Sequence, residues 1–155
     1  TVSSLISIVI WLKDNFFTKY DWQWLKVLGG YLTRKEIHPP AGKFNAGQKI
    51  FYWLSSILSI IIIISGVMLA YYDKFILGSL IWAAVLHGIC AILLTATIIG
   101  HAYLGSVANP GTLGSIFHGK VAREWAKKHH PQWYEKLMQK DKQKNEKKLR
   151  LITEN

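Results

Sequence analysis

Apolar positions in this chain fall into blocks, separated by stretches rich in lysine, glycine and aromatic residues. Ile50 to Tyr72 runs 23 residues without an Asp, Glu, Lys or Arg, and Gly78 to Leu104 runs 27. As helices rising 1.5 Å per residue, both are long enough to cross a hydrocarbon core of about 30 Å. The short connector Asp73 to Leu77 leaves room only for an antiparallel return. The pattern predicts an all-α integral membrane protein: a transmembrane helical hairpin at 50–104, with cytoplasmic amphipathic helices on either side.

Thr1 to Leu12 is apolar and uncharged, yet 12 residues are too few to span. It reads as the end of a truncated transmembrane helix, with an interfacial helix as the alternative. Residues 13–49 form a mixed loop. Within it the spacing predicts a short helix over Trp22–Leu32, capped by Asp21, with Trp22, Leu25, Leu28 and Leu32 turned to one side. Gly29 and Gly30 loosen its end, and His38-Pro39-Pro40 breaks the pattern, leaving His38 in a loop. Tyr52 and Trp53 suit one aromatic belt and Tyr71 and Tyr72 the other. Ser55, Ser56, Ser59, Ser65 and Gly66 read as packing contacts on the first span.

Residues 105–155 form a basic tail. Asn109-Pro110-Gly111 is a turn out of the membrane, and Lys120 to Tyr134 is a helical stretch that stops at His129-His130-Pro131. Adjacent histidines point in different directions on a helix, so surface or partner contact suits them better than a shared metal. From Glu135 onward too few apolar positions remain to build a core.

Charge then orients the hairpin. The chain carries 19 Lys and Arg against 9 acidic residues. Seven basic residues precede the first span, one lies in the connector and eleven follow Leu104. The positive-inside rule places both long segments in the cytoplasm and the connector outside, in a multi-pass protein of the cell inner (plasma) membrane. Those same positions account for the net charge of +10, through orientation and contact with anionic membrane lipid, so no nucleic acid partner is called for. The single cysteine, Cys90, lies within a span and excludes an internal disulfide, an iron-sulfur cluster and a thiolate zinc site. A metal here must use histidine.

Two histidines qualify. His87 and His101 are 14 residues apart in the second span, about 21 Å along a helix and about 40° from four full turns, hence on one face near opposite sides of the membrane. The stripe joining them reads Ala83, Ala84, His87, Cys90, Ala91, Leu94, Thr97, Ile98, His101, Gly105, mostly small residues against which a flat macrocycle could lie. Two stacked b-type haems fit the pattern. Hydrogen bonding and tight packing against a neighbouring helix fit it as well, and spacing alone leaves both open. Likewise GKFNAGQK, Gly42 to Lys49, reads from spacing only as a helix start capped by Asn45.

Taken together, GKFNAGQK, the His87 and His101 interval and GKVAREWAKKHHPQWY (Gly119 to Tyr134) resemble the cytochrome b, or gamma, subunit of respiratory formate dehydrogenase, from about Asp21 through the basic tail. The resemblance implies the last two helices of a four-helix bundle holding two haems b, with His87 on the outer haem iron and His101 on the inner one. It also implies a menaquinone site formed by Asn45, Gly47, Gln48 and His101. Electrons would come from a catalytic subunit containing molybdenum or tungsten through an iron-sulfur subunit, and formate oxidation would lie outside this chain. The family's first helix and the front of its second, each bearing one axial histidine, have no counterpart before Thr1, so a longer protein or a neighbouring chain would supply those ligands. His118 stands where the family has an acidic residue. The alternatives are a cofactor-free membrane anchor for peripheral redox subunits and a cytochrome b subunit of a hydrogenase or another dehydrogenase.

Overall fold

The computed structural model describes residues 2–30, 39–109 and 111–153, and among them every regular element is helical. The α-helices are α1 (Val2–Trp11), α2 (Lys19–Lys26), α3 (Ala46–Ala70), α4 (Leu77–Ser106), α5 (Leu113–His118), α6 (Arg123–His129) and α7 (Pro131–Thr153). Contacts divide the chain into two units: Thr1–Phe16 with Gln48–Leu113, and Phe17–Gly47 with Gly114–Asn155. Leu32, His38 and Pro110, placed from the sequence in a helix, a loop and a turn, lie outside the described residues.

In the first unit, α3 and α4 contain the two predicted apolar stretches. Their 25 and 30 residues correspond to about 37 and 45 Å of helix, longer than a hydrocarbon core. Ile57, Ile64 and Val67 on α3, and Ile81, Trp82, Ile92 and Ile99 on α4, are exposed, as lipid-facing side chains would be. Hydroxyls inside these helices do not go unsatisfied: Ser65, Thr95 and Thr97 donate to carbonyls four residues back, Ile61, Ala91 and Leu93. Asn109 ends α4 by donating from Nδ2 to the Leu104 carbonyl at 2.7 Å, which satisfies one of the acceptors a helix C-terminus leaves open.

The end of α1 is held by side chains from the first turns of α3. Tyr52 donates its hydroxyl to the Ile8 carbonyl (2.6 Å), Trp53 its Nε1–H to the Asn15 carbonyl (3.0 Å) and Lys49 its Nζ to the Phe16 carbonyl (3.0 Å). Asn15, buried, donates back to Trp11. The Tyr52 and Trp53 polar atoms, assigned from sequence to an aromatic belt, are thus engaged within the chain. The Ile8 carbonyl lies in the last turn of α1, and those of Asn15 and Phe16 close the 3-10 turn, Leu12–Asn15, that follows it.

The second unit corrects one predicted element. The helix expected over Trp22–Leu32 is α2, and it begins three residues earlier because Thr18 and Asp21 form a capping box. Both the Thr18 N–H (2.6 Å) and its hydroxyl (2.8 Å) donate to Asp21 Oδ2. Asp21 is therefore the third helical residue rather than the cap. The helix stops at Lys26 because Leu28, Gly29 and Gly30 all take positive φ, at 45°, 69° and 84°. Trp22 and Leu28, placed from the sequence on one side of this helix, are both exposed.

At the far end of the chain, α6 and α7 are separated by the single residue His130, and Pro131 opens α7 at a position where its missing N–H costs nothing. Substituting Asp21 with Ala is expected to destabilise this unit by roughly 1 kcal/mol through loss of the box. Chemical denaturation followed by tryptophan fluorescence measures it.

Candidate functional site

Each of the two membrane histidines meets a side chain of α3. His87 Nδ1 lies 3.0 Å from Ser65 Oγ, and a Cβ at Gly66 would sit 3.2 Å from His87 Cε1. The absence of a side chain at Gly66 is what admits the ring. His101 stacks on Phe51 with ring centroids 3.8 Å apart and planes 13° from parallel. Ser65 and Phe51 are themselves 14 residues apart, the same interval that separates the histidines. The matched interval is what two helices running side by side in opposite directions produce at one register.

The small-residue stripe on α4 is the covered side of the helix over most of its length. Ala83 and Cys90 are buried and His87, Ala91, Leu94, Thr97 and Gly105 partly so, while Ala84, Ile98 and His101 are exposed. The two imidazoles are not brought together; each occupies its own end of the stripe. Among the described residues no group of three or more His, Cys, Asp or Glu is placed to hold a metal ion, so a metal on this face would have one histidine of this chain at each end.

The GKFNAGQK residues divide between the units. Asn45 directly precedes α3, and Gly47 faces Trp24: a Cβ there would lie 2.9 Å from the indole ring and 3.4 Å from Asn45 Oδ1. Gly47 thus serves the approach of Trp24 within the second unit. Gln48 belongs to the first unit and stands three residues before Phe51, one turn away on the same face of α3. Through Phe51 it is a near neighbour, along the helix, of the ring that packs on His101.

The second unit contains a cluster that spacing did not reveal. His130 is only 5% exposed, and its Nδ1–H donates to the Gly42 carbonyl at 2.7 Å. Its ring lies 5.4 Å from Trp125 and 6.4 Å from Trp133, and Trp125 also stacks on His129 at 4.7 Å. The expectation of a surface role is therefore wrong for His130. It is an interior residue, and it joins the Gly42–Lys49 motif to the Gly119–Tyr134 motif. Burial lowers its pKa below the usual histidine value, an effect partly opposed by the hydrogen bond to Gly42. His118, by contrast, is exposed at the end of α5, near the Phe117 ring.

Comparison with known proteins adds the following. The family model described as prokaryotic cytochrome b561 matches residues 1–119. The nitrate-inducible formate dehydrogenase cytochrome b556(Fdn) subunit of Escherichia coli K12 is 30% identical over 141 residues, covering 88% of this chain and 64% of the relative. The cytochrome b556(fdo) subunit of the same strain is 28% identical over 147 residues, covering 93% and 69%. The formate dehydrogenase cytochrome b556 subunit of Haemophilus influenzae is 31% identical over 134 residues, covering 83% and 55%. The chain thus spans somewhat under two thirds of the length of two of these three relatives.

Proposed function

Because this chain belongs to the prokaryotic cytochrome b561 family, we propose that it is the membrane-embedded part of a formate dehydrogenase cytochrome b, passing electrons from an iron-sulfur subunit through two haems b to menaquinone. The observation that carries the proposal is the pair of histidines on one face of α4, each engaged by an α3 side chain and joined by a stripe of small residues. The residues fit the group. Ser65 engages Nδ1 of His87 and leaves Nε2 for an iron, Gly66 clears the space beside the ring, and the exposed edge of His101 is open. When bound, haem b supplies the one-electron chemistry that side chains lack.

His87 and His101 would each hold a haem through one imidazole nitrogen, the outer and the inner one respectively. The two spans hold no further histidine, so any further ligand to either iron would come from residues outside them. The names of the relatives support a formate dehydrogenase complex, and the family resemblance adds a molybdenum or tungsten catalytic subunit. In the membrane, α3 and α4 form an antiparallel hairpin, supported by contacts that move toward the start of α3 as they move toward the end of α4, from Ser65–His87 to Phe51–His101. The basic residues put both long segments in the cytoplasm. A cysteine introduced between Asp73 and Leu77 is expected to react with an impermeant maleimide from the outer face of intact cells, and labelling only after disruption would reverse the orientation.

For the quinone, Gln48 offers an amide donor one turn from the Phe51 ring that packs on His101. The family resemblance adds Asn45, which directly precedes α3, and Gly47 in its first turn. In the assembled complex, Gln48→Leu is expected to slow menaquinone reduction about tenfold or more while formate still reduces both haems, the scale of losing one hydrogen bond to a polar substrate. Unchanged quinone kinetics would return the motif to a helix start.

A further inference from the structure

We infer that Ser65 and Gly66 hold His87 in the tautomer, and at the depth, that presents its Nε2 lone pair as an axial ligand, and that Ser65 thereby sets the strength of that ligand. The inference rests on the proposed role of His87, and goes beyond it by assigning the residues that control it.

Ser65 is 4% exposed and its Oγ has three polar neighbours: the Ile61 carbonyl at 2.6 Å, the Ile62 carbonyl at 3.2 Å and His87 Nδ1 at 3.0 Å. A serine hydroxyl has one hydrogen to give. At 2.6 Å two oxygens without a hydrogen between them would repel, so the Ser65 hydrogen points at Ile61. Only lone pairs are then left facing His87, and Nδ1 must carry the proton and donate. A neutral imidazole has one N–H, so Nε2 is left with its lone pair. Pointing the Ser65 hydrogen at His87 instead would put the proton on Nε2 and block it as a ligand.

Gly66, next along α3, fixes the distance. A Cβ there would lie 3.2 Å from Cε1 and 3.6 Å from Nδ1, so any other residue forces the imidazole back from α3. Together the two residues fix which nitrogen is free and where it stands. The hydrogen bond also has an electronic effect: donation from Nδ1–H to an acceptor makes the opposite nitrogen a stronger donor, which favours the ferric state and lowers the reduction potential.

The test uses the whole complex, purified in detergent, with haem absorbance followed during a redox titration. Ser65→Ala is expected to shift the potential of one haem upward and leave the other unmoved, because the second histidine lies about 21 Å away along α4. Ser65→Thr, which keeps the hydroxyl, is expected to restore the original value. Gly66→Ala is expected to reduce the content of the same haem or to shift its low-spin electron paramagnetic resonance signal. Two unmoved potentials in Ser65→Ala at full haem content overturn the inference and leave His87 as a ligand. Loss of the haem in the alanine and threonine variants alike also overturns it, since packing alone then explains the site. A full haem complement in His87→Ala is a different failure, that of the ligand assignment itself.

Discussion

His87→Ala is expected to leave the assembled complex one b-type haem short, and His101→Ala to remove the other, so that the double variant retains none. Each histidine would hold its own haem, and neither can stand in for the other across about 21 Å. At that separation the two losses should be additive. Reduced-minus-oxidised spectra and extracted haem content supply the measurement. The loss should be selective as well as complete: with His87 replaced, the remaining haem keeps its absorbance maximum and potential, because the Phe51–His101 stack lies at the other end of the helix pair. If both variants kept a full complement, the ligand assignment would be wrong, and the stripe on α4 would be a packing surface only.

Acidification is expected to loosen the second unit around His130. Its buried ring is held neutral, donating to Gly42, and its pKa is lowered by burial. In the unfolded chain the group titrates near 6.5. Below that value the unfolded state binds a proton that the folded state resists, so stability is fully present above about pH 6.5 and is lost as the pH falls through the lower folded value. The fluorescence of Trp125 and Trp133, whose rings lie beside His130, should report the change between about pH 8 and pH 5. His129, whose ring stacks on Trp125, provides the control: His129→Gln should keep the acid response. His130→Asn, which has a donor near the Nδ1 position and no titration, should abolish it. His130→Ala should cost roughly 1–3 kcal/mol at neutral pH, since it removes the partner of a carbonyl and opens a cavity. An acid response unchanged in His130→Asn would assign it elsewhere.

The two membrane helices were legible because lipid imposes a length and forbids charge, constraints that a single sequence displays directly. The shared face of His87 and His101 followed from helical periodicity alone. Their partners did not, because Ser65 and Phe51 belong to another helix and register is a property of packing. Thr18 was legible in principle, three positions before Asp21, but Asp21 is itself a good cap and local spacing could not decide between them. His130 was misjudged for a different reason. A histidine in a run of lysines looks solvated, and its partner Gly42 lies 88 residues earlier, beyond both spans. Trp24 likewise gave no sign in the sequence that its ring would lie against Gly47.

That bond between Gly42 and His130 also bears on how the protein is made. The second unit is built from two pieces of chain with the whole pair of apolar helices threaded between them. During synthesis the earlier piece emerges from the ribosome well before its counterpart exists, and must wait while both apolar helices are delivered to the bilayer. A long loop is entropically slow to close, but two helices inserted as the proposed hairpin would return the chain to the side it left and shorten the search. On that topology, sealing of the unit by His130 would be a late event in biogenesis, available only to chains whose hairpin has inserted. A nascent chain stalled with one helix in the wrong orientation would carry Gly42 and His130 on opposite sides of the membrane, leaving the unfinished segment open to quality-control proteases.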